Sequence, residues 1–376
     1  MTTLRVIIDE MLATTPGNLG RYTEELARAL IATAPRDCYV EGFVSASTEP
    51  DYDRIAVRLA GLADLHKSAL AHREVKAAWQ HGFTMLPGSG MVHAPSLLAP
   101  LSRHDRLNRG DQIVVTVHDT VAWSNPESLS ARTVAWHKTI LKRAQRYADG
   151  IVVPSHTVAG QLGEIADLGD RVRVISGAAS SVLTPPVDAD ERAEALGLPP
   201  RYILAIGGLE PRKGIDQLIR AMTHLRSDEP LLLVGPEADD QTLATAIAES
   251  NLPEGSIRGM GTLSDSDLAL AIERSTVFAY PNLEEGFGMP MLEAFSLGAP
   301  VVHSDAPALV ELAAGAGIVV ERGNPALYPE RLAEGIRSVL DDRQLAIRLG
   351  YSGSDRAHAF SWRSSAEKVW QLHADL

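Results

Sequence analysis

Two carboxylates, Glu285 and Glu293, stand eight positions apart with Gly286-Phe287-Gly288-Met289-Pro290-Met291-Leu292 between them. Proline is favoured at the first position of a helix, where its missing N–H costs nothing. The spacing therefore predicts a tight loop over 286–289 and a helix of about two turns opened by Pro290 and ending near Gly298. First-turn N–H groups have no partner within such a helix and carry the positive end of its dipole. That arrangement binds anions, phosphate above all. Glu293 falls one turn into the helix, within reach of hydroxyls beside a bound diphosphate, and Glu285 stands at the loop entrance.

A cationic companion precedes it in the chain. Ile206-Gly207-Gly208-Leu209-Glu210-Pro211-Arg212-Lys213-Gly214 follows an apolar run. Arg212 offers a planar fork of donors and Lys213 a mobile point charge. Together they can neutralise a diphosphate and stabilise it as it departs. Pro16-Gly17-Asn18-Leu19-Gly20-Arg21-Tyr22 forms a second glycine-bearing loop after the first strand. Asn18 is expected to supply a positive φ in that turn, which asparagine tolerates better than most residues. His118, in Val114-Val-Thr-Val-His118-Asp119, ends a strand, with Asp119 expected as a loop cap. His93 ends another strand, where it lines a ligand or is structural. In Gly261-Thr-Leu263-Ser264-Asp-Ser-Asp267, Ser264 reads as a helix N-cap.

Short valine- and isoleucine-rich runs alternate with amphipathic stretches and would position these residues. Strands are expected at Leu4–Ile8, Tyr39–Val44, Met91–His93, Ile113–Val117, Ile151–Val153 and Val172–Ile175, and helices near 19–33, 66–81, 130–147 and 156–167. The second half repeats the alternation. Its strands are expected at Tyr202–Ile206, Leu231–Val234, Thr276–Tyr280, Pro300–His303 and Ile318–Val320, and its helices near 215–226, 240–250, 265–274, 290–297, 325–340 and 343–357. Such alternation implies an α/β fold with parallel sheets covered on both faces. Thr184-Pro-Pro-Val-Asp-Ala-Asp190 reads as a linker, because paired prolines break a helix or central strand. A domain boundary is therefore expected near 185, and the apolar spacing of 361–373 adds a terminal helix.

The chain has 376 residues, 45% of them apolar, which suits two or three domains. Net charge is −13, and residues 186–376 hold the whole excess, with 16 Lys+Arg against 29 Asp+Glu. An acidic half argues against nucleic-acid binding. Cys38 is the single cysteine, so no intramolecular disulfide can form and a reducing cytosol is expected. The N-terminus lacks the apolar core of a signal peptide, and no run reaches the length of a membrane span. The mildly basic stretch 66–81, with Arg103, Arg106 and Arg109, is either a solvated face or a contact for anionic lipid or an anionic acceptor. Asp188-Ala-Asp190 has the form of a metal-holding pair but sits beside the prolines, and the histidines show no zinc spacing.

The segment 285–293 resembles the Glu-x7-Glu motif of retaining glycosyltransferases of family 4, and the likeness extends over essentially the whole chain. It implies a GT-B fold: an acceptor-side Rossmann-like domain over 1–185, a donor domain over 186–360, and a helix over 361–376 crossing back to the first. It implies that Glu293 holds the donor ribose, that Glu285 contacts the sugar side, and that the backbone at Gly286, Phe287, Gly288 and Met289 faces the diphosphate. Arg212 and Lys213, with Gly208 close by, would stabilise the leaving nucleotide. His118 would contact the sugar near the reacting carbon, Gly17 and Gly20 would meet sugar and phosphate, and Leu263 would meet the nucleobase. The sequence departs from the family pattern at Gly214, where asparagine is usual, and at Asn18, where glycine is. The implied donor is a nucleoside-diphosphate sugar, GDP-mannose slightly favoured. The acceptor is a glycan, lipid-linked or small molecule. No metal and no separate cofactor are implied, and the protein is placed in the cytoplasm or at the inner membrane face. The rivals are a catalytically inactive nucleotide-binding scaffold and a nucleotide-dependent dehydrogenase. The dehydrogenase would want Gly-x-Gly-x-x-Gly after a strand, which 17–20 lacks.

Overall fold

Apolar runs of three to five residues become parallel strands buried on both faces, as continuous hydrophobicity without alternation requires. The computed structural model describes residues 2–13, 17–83, 90–104, 111–235 and 240–376. The chain divides into two units, Met1–Gly177 with Ser361–Leu376, and Ala178–Phe360.

The first unit holds seven strands: β1 (Thr2–Ile7), β2 (Cys38–Ala46), β3 (Asp64–Ala71), β4 (Met91–Ala94), β5 (Gln112–Thr116), β6 (Gly150–Val153) and β7 (Val172–Val174). They are all parallel, in the order β3-β2-β1-β4-β5-β6-β7. The second unit holds β8 (Ile203–Ile206), β9 (Leu231–Val234), β10 (Ile257–Gly261), β11 (Val277–Tyr280), β12 (Val301–Ser304) and β13 (Ile318–Val320), again parallel, ordered β10-β9-β8-β11-β12-β13. Each order reverses once, between β1 and β4 and between β8 and β11. Open α/β sheets bind ligands beyond the carboxyl ends of strands at such a reversal. Each sheet carries its own apolar core.

The terminal helix Trp362–Asp375 packs on the first unit's Asn18–Ala32 helix. The indole N–H of Trp370 donates to the Leu30 carbonyl at 3.2 Å, and Ser365 Oγ donates to the Ser176 carbonyl at 2.6 Å. His373 lies buried against Gln112 at 3.0 Å.

Several expectations need correction. The units part between Gly177 and Ala178, so the segment before Pro185 belongs to the second unit. Asp188 and Asp190 do not lie in a free linker, because a helix begins at Ala189 and Asp190 pairs with Arg274. Residues 66–81 are not one helix: Asp64–Ala71 forms β3 and only His72–Gln80 is helical. The stretch has no β-branched residue. It becomes a strand because Glu41 of β2 bridges Arg5 of β1 at 2.9 Å and His66 of β3 at 2.8 Å, a pairing across three strands. The single amphipathic face suggested for lipid contact therefore does not exist, and Arg106 and Arg109 lie outside the described residues. Among the described residues no helix is long and apolar enough to cross a membrane. Helices Glu49–Arg58 and Pro307–Ala313 and the edge strand β10 were not expected. The first carries a capping box of Thr48 and Asp51, a legible local signal.

Candidate active site

The second unit's reversal point is formed by the chain leaving β8 and β11. Beyond β8, Gly207 and Gly208 lead into the Pro211–Lys213 turn and then the Ile215–Leu225 helix. Gly214 joins turn to helix at φ +63°, and a Cβ there would stand 2.3 Å from the Pro281 carbonyl oxygen. Asparagine tolerates the φ but not that approach, so glycine tightens this loop rather than loosening it. The Leu283 N–H donates to the Arg212 carbonyl at 2.8 Å, joining the β8 and β11 loops.

That junction gathers the charged side chains. Glu285 Oε2 accepts hydrogen bonds from Tyr280 Oη at 2.8 Å and Asn282 Nδ2 at 2.7 Å, and Lys213 Nζ lies 3.4 Å away. The Glu285 and Lys213 side chains are 17% and 13% exposed, so the pair is well screened from water. Burial alone would raise the Glu285 carboxyl; Lys213, the two hydrogen bonds and Arg212 outweigh it and hold the group below the ordinary carboxylate range. A carboxylate so depressed is a poor proton acceptor at neutral pH and a good fixed anion. The Tyr280 hydroxyl is pushed well above its usual range, by burial first and then by Glu285 and Glu293, while Arg212 opposes this. Both motif glutamates and Arg212 therefore act on Tyr280.

The Met289–Ser296 helix begins after Gly288, at φ +100°, with Pro290 in its first turn. A Cβ on Gly288 would stand 2.7 Å from Leu309 Cδ2, so glycine admits the chain to the helix start. Glu293 is buried in the second turn. Ser264 caps the Asp265–Glu273 helix by accepting the Asp267 N–H at 3.2 Å, with half-buried Leu263 just before it.

In the first unit, a cavity of about 290 Å³ lies at the other reversal point. Glu10 follows β1, Ser96, Leu97 and Leu98 follow β4, and Thr116 to Asp119 close β5. His72, Lys76, Trp136 and His137 complete the wall, and Leu19 adds the first turn of the Asn18–Ala32 helix. His118 Nε2 donates to the Pro95 carbonyl at 2.7 Å, and Tyr22 packs edge-on against its ring at 4.6 Å. Burial lowers the imidazole's proton affinity more than that carbonyl and Asp119 raise it, so the ring is held neutral. Asp119 accepts the Val121 N–H at 3.0 Å, a loop cap. Asn18 begins the Asn18–Ala32 helix and Gly17 has φ −74°, so neither needs the positive φ anticipated there. His93 does not line the cavity. It is fully buried beside His373.

The sequence model for "Glycosyltransferase Family 4" matches residues 19–181, and that for "Glycosyl transferases group 1" matches 187–356. Between them they span both units. The chain belongs to glycosyltransferase family 4.

This glycosyltransferase is 29% identical over 288 residues to the O-antigen chain mannosyltransferase B of Escherichia coli, covering 73% of this chain and 71% of that protein. It is 31% identical over 235 residues to the D-inositol 3-phosphate glycosyltransferase of Corynebacterium efficiens, but there it spans only 54% of the relative's length and 56% of its own. The solved Anabaena HepE in complex with UDP and glucose superposes over 100% of both chains with a TM-score of 0.74 at 16% identity, which shows the GT-B fold.

Tyr280 and Asn282, the two neutral donors to Glu285 in this glycosyltransferase, were missed in the sequence. Their signal was position alone, the last residue of an apolar run and the residue two beyond it. Glu10, His72, Lys76 and Trp136 carried no local signal, since three separate elements supply them. Among the described residues no group of three or more His, Cys, Asp or Glu could hold a metal ion.

Proposed function

We propose that this family 4 glycosyltransferase moves a hexose, mannose favoured, from a nucleoside-diphosphate sugar to a hydroxyl of a glycan, lipid-linked or small-molecule acceptor. The likeness to the E. coli mannosyltransferase supports mannose, and the acceptor class is open between the relatives. The observation that carries the reading is the knot of Lys213, Glu285, Tyr280 and Asn282 beside the start of the Met289–Ser296 helix. There Arg212, Lys213 and the helix N–H groups would receive the diphosphate. Glu293 would hold the ribose, Gly208 and Leu263 would face the nucleotide, and Glu285 would position the sugar side.

The reaction breaks the bond between the anomeric carbon and the diphosphate oxygen. The acceptor oxygen bonds that carbon on the same face, and its proton passes to the departing phosphate. Configuration is retained. Fixed positive charge from Arg212, Lys213 and the helix does the work a divalent metal does elsewhere, so turnover needs no metal. The single cysteine supports a cytoplasmic setting.

Two measurements test this. GDP or UDP at about 100 times its dissociation constant adds roughly 2.7 kcal/mol of stability, seen as a rise in Tm. Nucleoside-diphosphate release from GDP-mannose is expected to continue in excess EDTA. Loss of turnover on chelation, restored by Mg²⁺ or Mn²⁺, overturns the metal-free leaving-group chemistry; binding without any release under either condition favours an inactive scaffold.

A further inference from the structure

The two relatives differ in what their names say of the acceptor, one a polysaccharide chain and the other an inositol phosphate. The first unit's cavity bears on this difference through its charge and its walls. We infer that this cavity receives an uncharged pyranose, the neutral terminus of a sugar chain, and discriminates against a phosphate-bearing acceptor, with Glu10 and Lys76 setting that choice. The inference rests on the glycosyltransferase reading and adds the chemical class of acceptor to it.

A phosphate dianion is best held by a surplus of positively charged side chains. The described lining residues supply no such surplus. His72 Nδ1 is bound to the buried carboxylate of Asp9, so its charge is matched. His118 and His137 are both held toward the neutral form by burial. Lys76 is the remaining lining cation, and the carboxylates of Glu10 and Asp119 line the same cavity. Among the described residues Glu10 has one hydrogen-bond partner, Ser96 Oγ at 3.3 Å. A dianion beside these two carboxylates would be repelled.

The same features suit a sugar ring. Among the described residues the Lys76 ammonium has no carboxylate within ion-pair distance, and it rests over the Trp136 ring at 4.1 Å. Glu10 offers acceptor capacity and Lys76 offers donors, so hydroxyls can satisfy both. Leu19, Leu97 and Leu98 provide an apolar wall for the C–H face of the ring. About 290 Å³ is at the small end of ligand pockets, room for one pyranose.

The test pairs acceptors that differ only in phosphate. With a nucleotide sugar first shown to bind by a Tm shift, nucleoside-diphosphate release is followed against methyl α-mannopyranoside and mannobiose, and against the same sugars carrying a 6-phosphate. The neutral acceptors are expected to show at least a tenfold higher kcat/KM. Glu10→Gln is expected to raise KM for the neutral acceptors and to shrink the neutral-over-phosphate ratio, which a merely structural role would not change. Lys76→Met, half-exposed and therefore safer for folding, is expected to raise KM for the neutral acceptors about tenfold without changing donor binding. Equal or reversed preference, a ratio unmoved in both variants, or no acceleration by either neutral acceptor while the donor still binds overturns the inference. Failure of every nucleotide sugar to shift Tm counts instead against the glycosyltransferase reading.

Discussion

The reversal points of the two sheets are built alike in topology and differently in electrostatics. In the second unit, Lys213, Tyr280 and Asn282 all converge on one oxygen of Glu285, which ties two adjacent loops together. In the first, Glu10 and Lys76 share a cavity but each is incompletely paired, and the fully matched pair is Asp9 with His72. A carboxylate held by three partners presents a fixed field, as charge developing on a leaving group requires. Groups left open in a cavity retain capacity for a ligand's hydroxyls. One end is therefore arranged to hold charge still, and the other to recognise.

The contrast breaks first at Lys213. Lys213→Ala removes a cation from the network and leaves Glu285 with neutral hydrogen-bond donors only. Turnover is expected to fall about 30- to 1000-fold, roughly 2–4 kcal/mol of transition-state stabilisation. Steady-state kinetics with a confirmed donor check it, and unchanged kcat/KM removes the pair from the site.

Gly214→Ala tests whether backbone closeness holds the network together. Positive φ and a carbonyl oxygen 2.3 Å from the new Cβ are expected to cost about 2–4 kcal/mol of stability. Chemical denaturation measures the loss, and a variant as stable as the parent means the loops can separate without penalty.

A smaller effect is expected at Glu293. Glu293→Gln keeps the size and loses the charge, weakening charge-assisted bonds to ribose by about tenfold in donor affinity. Titration of both proteins with ribose and 2′-deoxyribose donors forms a double cycle in which the two losses should not add. The same deoxy penalty in both proteins places the ribose elsewhere.

The smallest effect is also the one that separates the regions by sign. Glu285 has its pKa depressed in the folded chain, so its contribution is present above the unfolded value near 4.5 and is lost as pH falls through the folded one. His72 is raised above 6.5, chiefly by its hydrogen bond to Asp9, so its contribution is present below 6.5 and is lost as pH rises through the folded value. Tm across pH 4 to 9 for the parent, Glu285→Gln and His72→Gln should show the first gap narrowing toward acid and the second toward alkali. Parallel profiles would mean the two charge systems are not different in kind.

Much of the second unit's candidate site was legible because its determinants are local. Pro290, Gly288 and the glutamates eight apart describe one loop and one helix, and Arg212 and Lys213 sit in a single turn. The alternation of apolar runs likewise named the sheets, since parallel strands buried on both faces have little other way to read. What chain order could not provide was convergence. Lys213 meets Glu285, 72 residues away, because β8 and β11 are neighbours in the sheet, and Glu10, Lys76 and Trp136 meet only because the segment after β1 and the His72–Gln80 and Ala131–Tyr147 helices border one cavity. Strand β3, without a β-branched residue, exists because Glu41 finds Arg5 on one side and His66 on the other. By itself the sequence determined the fold class, the helix start at Pro290 and the charges beside it, all consequences of spacing within about one turn or one strand. Tertiary structure alone decided which distant side chains share a low-dielectric space, and that sharing, through burial and pairing, sets whether a carboxylate holds its charge, an imidazole stays neutral, or a lysine waits for a ligand.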